Sequence, residues 1–238
     1  MFAKEHLKTL WGQVSYCCSA ALWRFLLKLV ARVQIIGTET APRGPYLMVG
    51  NHTSHFDPHT LASFYSQPVN FMAVRDLFTH PLTRLYFRSV SAFPVNRNGV
   101  DAEAVREALR RLKASRIVAL FPEAGIRSGK NSILGEVTPS EGAAALAQMA
   151  GVKMRVCLVI GLDQLYAWKN LFRRPRVFIH YGPMLELDSS LPPKAARTKL
   201  NAEMVETFRA LYRQFLKQAQ PPPEMLPCTA QERWRRGR

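Results

Sequence analysis

The sequence predicts an α/β fold: a single domain with a largely parallel or mixed central sheet flanked by helices, behind an N-terminal amphipathic helix. Three observations predict it. Short apolar runs of strand length alternate with segments of helical period along most of the chain. Clusters of Pro, Gly, Asn and Asp punctuate them. The 238 residues, 47% of them apolar, are enough to bury one substantial core.

Residues 7–36 are rich in Trp, Leu, Val and Ala, but Arg24, Lys28 and Arg32 interrupt them. The longest charge-free stretch, around residues 14–23, falls short of the ~20 residues that span a bilayer. Leu22, Phe25, Leu26, Leu29, Val30 and Val33 recur at three- and four-residue spacing, with the basic residues on another face. That is the pattern of a helix lying in a bilayer interface. Residues 1–31 are therefore expected to be a membrane-associating helix, followed by one domain over 32–218. Within it, 32–36 and 46–50 read as strands, separated by a turn-rich 41–45. Asp57-Pro58 reads as an N-cap with proline at the first helical position. Residues 69–74 form another apolar run, 77–87 a helix or loop, and 91–95 a short strand. Residues 101–113 make the clearest amphipathic helix, with Val105, Leu109 and Leu112 along one side. A buried strand at 116–121 stops at Pro122, and an Ala-rich helix at 140–150 is closed by Gly151. Strands at 154–160 and 176–181 precede a last helix at 195–217. Residues 219–238, Pro-rich and then basic, are expected to be disordered.

Lys and Arg number 33 against 17 acidic residues, a net charge of +16. Such an excess implies a polyanionic partner: nucleic acid, an anionic membrane surface or a phosphorylated substrate. Cys17, Cys18, Cys157 and Cys228 show no CxxC spacing, which argues against a zinc knuckle or a disulfide framework. Cys157 sits in an apolar run, as a core thiol would.

The chemistry concentrates in Asn51-His52-Thr53-Ser54-His55-Phe56-Asp57-Pro58. A general base needs an imidazole whose second nitrogen is held by a carboxylate. Residues five apart on a continuous helix diverge by about 140°, so His52 and Asp57 can cooperate only if His52 lies in a loop ahead of the helix. Two more segments follow strand-like runs, where α/β sheets carry ligand-binding loops. One is Phe93-Pro94-Val95-Asn96-Arg97; the other is Phe121-Pro122-Glu123-Ala124-Gly125-Ile126-Arg127-Ser128. Guanidinium groups and turn N–H groups there are suited to holding phosphate. His55 and His59 beside His52 raise a metal alternative, although a helical zinc pair uses i, i+4 spacing.

His52-X4-Asp57, Phe93-Pro94-Val95-Asn96-Arg97 and Phe121-Pro122-Glu123, in that order, resemble the phospholipid/glycerol acyltransferase family, which includes 1-acylglycerol-3-phosphate acyltransferases. The resemblance covers roughly residues 33–161. It implies His52 as general base, Asp57 as the carboxylate that orients it, and Arg97, Glu123 and Gly125, with Arg127 and Ser128, on the acceptor's side. It also implies direct transfer from acyl-CoA or acyl-carrier protein to a lysophospholipid or glycerol phosphate, with no metal, no cofactor and no covalent intermediate. Two departures stand out. The family's third block commonly runs Phe-Pro-Glu-Gly-Thr-Arg-Ser, whereas this chain carries one extra residue; and its fourth block usually has a proline, absent from Val156-Cys157-Leu158-Val159-Ile160-Gly161. Asn51 or amides near Gly125 are candidate donors to an oxyanion. The basic excess is then expected to face an anionic membrane rather than nucleic acid, with the protein peripheral or monotopic on the cytoplasmic face. Residues 168–176, mixing Trp168 and Phe172 with four Arg and Lys, either dock on headgroups or form a solvated loop. A non-catalytic basic module is the competing reading from another class, and a hydrolase using metal on His52, His55 and His59 the third.

Overall fold

In a computed structural model, the structure describes residues 2–37, 42–96, 99, 101–223 and 226–236, with only the backbone for 2–11, 230 and 236. Helix α1 (Phe2–Val30) leads into strand β1 (Arg32–Gly37), then β2 (Leu47–Gly50), α2 (Asp57–Phe64), β3 (Val69–Val74), α3 (Pro81–Ser89) and β4 (Phe93–Val95). Helix α4 (Ala102–Lys113), β5 (Ile117–Leu120), α5 (Gly142–Ala150), β6 (Met154–Ile160), α6 (Trp168–Arg173), β7 (Arg176–Leu185), α7 (Pro193–Ala219) and α8 (Ala230–Arg236) complete the chain. The strands form one sheet in the order β1-β7-β6-β2-β5-β3-β4. From β6 to β4 every neighbour is parallel; β7 runs antiparallel to β6 and parallel to β1. The expected α/β class with a mixed, mostly parallel sheet is therefore observed.

Helices cover both faces, which is why the central strands are apolar without alternation. Leu47, Val49, Val118, Val156 and Leu158 pack with α4, α5 and α7 through Ala108, Ala144 and Phe208. Met48, Ala119, Cys157 and Val159 face the opposite way, onto Leu27 of α1 and Leu61 of α2. Burial in that second layer pushes the Cys157 thiol up to about 12, as befits an inert core residue.

Several sequence expectations hold at their boundaries. The helix expected over 101–113 is α4, with Asp101 as its N-cap, a role not assigned from sequence, its Oδ1 accepting from Glu103 N and Ala104 N at 3.0 Å; Gly151 closes α5, as expected, in the left-handed region at φ 62°. Other elements differ. The cap of α2 is Phe56, whose carbonyl accepts from Thr60 N at 3.0 Å, and Asp57 is the first helical residue. Its carboxylate turns back into the preceding loop instead of capping the helix. Residues 168–173 form a helix rather than a loop. The C-terminal segment also departs from expectation: residues 230–236 are helical and Arg233 is only 3% exposed. A buried carboxylate, described below, attracts it, and no reading of the tail's composition alone reveals that partner.

Candidate active site

Because β6, β2, β5, β3 and β4 are parallel, their C-terminal ends share one edge of the sheet, the usual position of a ligand site in such folds. At the end of β2, Asn51 is fixed by two bonds to β6: its Nδ2 donates to Val159 O at 2.9 Å and its Oδ1 accepts from Val159 N at 2.7 Å. Its amide is thereby engaged in tying strands together. His52 follows in the loop. Its Nδ1 lies 3.0 Å from Asp57 Oδ2. That same oxygen accepts from Thr53 N at 2.7 Å and Ser54 N at 2.8 Å. Asp57 is wholly buried, and burial pushes its carboxyl up against the opposing pull of His52 and the two amides.

The imidazole stacks on Phe121, ring centroids 4.3 Å apart, and Phe121 stacks in turn on Phe71 of β3 at 6.0 Å. Gly50 makes room for this: a Cβ there would come 2.9 Å from the Phe121 ring. The ring is thus clamped by stacking on one side and by the carboxylate at Nδ1. Its Nε2 makes no hydrogen bond among the described residues, and the side chain keeps 10% of its surface accessible.

Glu123, at the end of β5, faces inward. Its Oε2 accepts from His52 N at 2.7 Å and its Oε1 from Ile133 N at 2.9 Å. Burial raises its carboxyl too, with those amides pulling the other way. Both oxygens bond backbone amides, so Glu123 ties the base loop to the segment beyond the next turn. Ala124 sits at φ 52°, a left-handed conformation easier for the glycine of the commoner block. Arg127 N donates to His52 O at 2.8 Å while its side chain is exposed. Gly125 and Ser128 are half-buried beside it. Arg97 lies outside the described residues; its neighbour Asn96 donates its N–H to Asp101 Oδ2 at 2.7 Å, fixing where that loop leaves β4.

The other histidines have separate surroundings. His55 Nδ1 meets the Tyr166 hydroxyl at 2.5 Å, and His59 stacks on Tyr86 at 5.6 Å with Trp23 tilted against it at 5.5 Å. Burial holds His59 below the ordinary histidine range. Among the described residues no three His, Cys, Asp or Glu side chains are grouped as metal ligands. Tyr166 and Asp163, in the 3₁₀ turn Leu162–Tyr166 after β6, were not singled out from sequence. Applying the strand-end rule to β6 as to β2 and β5 would have found them.

Comparison with known proteins gives the family and the fold. The family model described as Acyltransferase matches residues 32–159. A 1-acyl-sn-glycerol-3-phosphate acyltransferase of Streptococcus pneumoniae (strain ATCC BAA-255 / R6) is 30% identical over 165 residues, 68% of this chain but 55% of that protein. One from Bacillus subtilis (strain 168) is 25% identical over 198 residues, 82% of this chain and 94% of its own length. Among solved structures, the 1-acyl-sn-glycerophosphate (LPA) acyltransferase PlsC from Thermotoga maritima shares the fold, with a TM-score of 0.60 at 20% identity over 82% of this chain and 80% of that one. With more than half its length matched by the family model, the chain belongs to the acyltransferase family.

Proposed function

We propose that the protein moves a fatty acyl chain from an acyl thioester, acyl-CoA or acyl-carrier protein, to a hydroxyl of a lysophospholipid or glycerol phosphate at a membrane surface. The observation that carries this reading is the 3.0 Å contact between His52 Nδ1 and a buried Asp57. The carboxylate accepts only from a protonated Nδ1, which leaves the lone pair on Nε2 to take the hydroxyl proton. The alkoxide-like oxygen attacks the thioester carbonyl, the carbon–sulfur bond breaks, and the imidazolium returns its proton to the departing thiolate. Base catalysis of this kind contributes about 10²–10⁴-fold, the rest coming from alignment of alcohol and thioester. With Asn51 engaged by Val159, we assign oxyanion stabilisation to turn amides near Gly125. Arg97, Arg127 and Ser128 are the groups we assign to the acceptor's phosphate. The scheme uses no metal or cofactor.

Membrane placement is supported by apolar side chains left in solvent on α1 and on two helices that touch it: Leu22, Phe25, Leu26 and Leu29 of α1, Leu82 and Leu85 of α3, and Trp168 and Phe172 of α6. Lys28, Lys169 and Arg173 are exposed on the same helices. Among the described residues no helix is long and apolar enough to cross a membrane, so we place the protein on the surface as a peripheral or monotopic protein, at the cytoplasmic face. Purified protein supplied with radiolabelled acyl-CoA and a panel of lysophospholipids should yield acylated product. His52→Ala should lose at least about 10²-fold in rate while retaining fold and vesicle binding. Turnover by that variant at the unaltered rate would remove His52 as the base.

A further inference from the structure

We propose that Arg233, Asp163 and Tyr166 form a positioning relay through which the C-terminal helix α8 holds the loop bearing His52 and Asp57. The relay rests on the acyl-transfer reading for its catalytic consequence, though not for its structural one. Asp163 stands three residues beyond β6 and is fully buried. Its Oδ2 accepts from Cys228 N at 3.1 Å, from Arg233 Nε at 3.1 Å and from Arg233 Nη2. Arg233 Nη2 also donates to Leu226 O at 2.9 Å, closing the tail segment on itself. Trp234 and Arg235 beside it are exposed, so the helix presents Arg233 inward.

The same short turn ends in Tyr166. Its hydroxyl accepts from His55 N at 2.9 Å, meets His55 Nδ1, and lies 3.4 Å from Ser54 Oγ; its ring packs on Phe56 with centroids 5.4 Å apart. Residues 54–56 are the part of the loop that shapes the dyad, since Ser54 N donates to Asp57 and Asp57 N donates to Ser54 O at 3.1 Å. A continuous set of contacts therefore runs from α8 through the Leu162–Tyr166 turn to the Asp57 carboxylate.

Two physical arguments favour positioning over bulk stability. A buried ion pair contributes little net stability compared with an apolar pair of equal volume, because both charges lose their water. The Asp163 carboxyl is raised by burial and the Arg233 guanidinium opposes that shift, so the pair fixes a charged group in the same turn that carries Tyr166. Tyr166 and Arg233 touch no reacting atom in this scheme; they act through the loop.

The test uses the full chain carrying Arg233→Met or Tyr166→Phe. Hydrogen exchange at the Thr53 and Ser54 amides is read by NMR, and kcat and KM are measured with oleoyl-CoA and 1-oleoyl-lysophosphatidate. Both variants should speed exchange at those two amides while the β2 and β5 amides remain protected. Both should lower kcat about tenfold with KM for either substrate within about twofold of normal, the mark of a misaligned base rather than a lost binding contact. Unchanged exchange and kcat in a folded Arg233→Met protein would overturn the relay, as would acceleration at all amides together. Tyr166→Phe leaves the Arg233–Asp163 pair intact and so decides the matter if Arg233→Met fails to fold: normal exchange and kcat in it sink the proposal. Should the unaltered protein transfer no acyl chain, the functional reading fails and the exchange measurement still judges the relay.

Discussion

At the residue scale, the site is organised by two buried carboxylates with different tasks. Asp57 holds an imidazole and two amides, whereas Glu123 holds two amides and no side chain. Asp57→Asn should keep the fold, because an amide oxygen can still accept from Thr53 N and Ser54 N. It should nevertheless cost about 10²–10⁴-fold in kcat, since the imidazole loses its anionic partner and the tautomer it imposes. Glu123→Gln has one acceptor oxygen where two are used, so one of the two amides is left facing an NH₂ group. A loss of about 1–3 kcal/mol in chemical denaturation is expected. Acidification separates activity from stability. Burial raises both carboxyls, so the folded chain takes up these protons at higher pH than the unfolded one. Between the raised values and the ordinary ones near ~4, lowering the pH relieves the cost of burying charge, and these groups do not weaken the fold. A protonated Asp57 no longer steadies the imidazole, however. The acid limb of the rate profile should thus lie above the ordinary carboxylate range and precede any loss of circular dichroism; a limb coinciding with unfolding would contradict this.

At the element scale, α1 is apolar on two opposite sides. Tyr16 and Leu27 are buried, and Trp23 reaches α2, its Nε1 donating to Thr60 Oγ1 at 3.2 Å. Phe25 is 60% exposed on the far side, and Phe172 of α6 is 80% exposed. Sequence periodicity identified the stripe through Leu22, Phe25, Leu26 and Leu29, but could not tell that the domain covers the other face. Even Arg24, counted there with the polar face, reaches α2, its Nε donating to Ser63 O at 2.8 Å. The two faces should respond differently to mutation. Phe25→Asp or Phe172→Asp should reduce sedimentation with phospholipid vesicles and leave the melting temperature unaltered. Leu27→Ala should cost about 2–5 kcal/mol of stability by opening a cavity. Equal effects from both faces would mean that the exposed residues pack within the protein.

At the scale of the molecule, the helix carrying the exposed apolar stripe adjoins the catalytic edge, since α1 packs on α2 and α2 begins at Asp57. The net charge of +16 adds a long-range attraction that apolar contact lacks. Binding to vesicles containing anionic lipid should therefore weaken as salt rises, screening acting over about 8–10 Å near physiological ionic strength. Binding to neutral vesicles should be weaker and nearly insensitive to salt. Equal affinity for both vesicle types at low salt would remove charge from the account.

Most of the strands and helices, the C-cap at Gly151 and the His52–Asp57 pair were legible because each depends on residues near one another in sequence. Local backbone preference and side-chain period act over a few residues, and a linear reading captures them. What only the tertiary structure decided depends on distant residues: Glu123 turned to the His52 and Ile133 amides, Asn51 bound to Val159, and Arg233 drawn in to Asp163 across 70 positions. A buried polar group must find a partner wherever the fold places one. That partner is determined by which strand ends share an edge, and no local pattern in this chain encodes it.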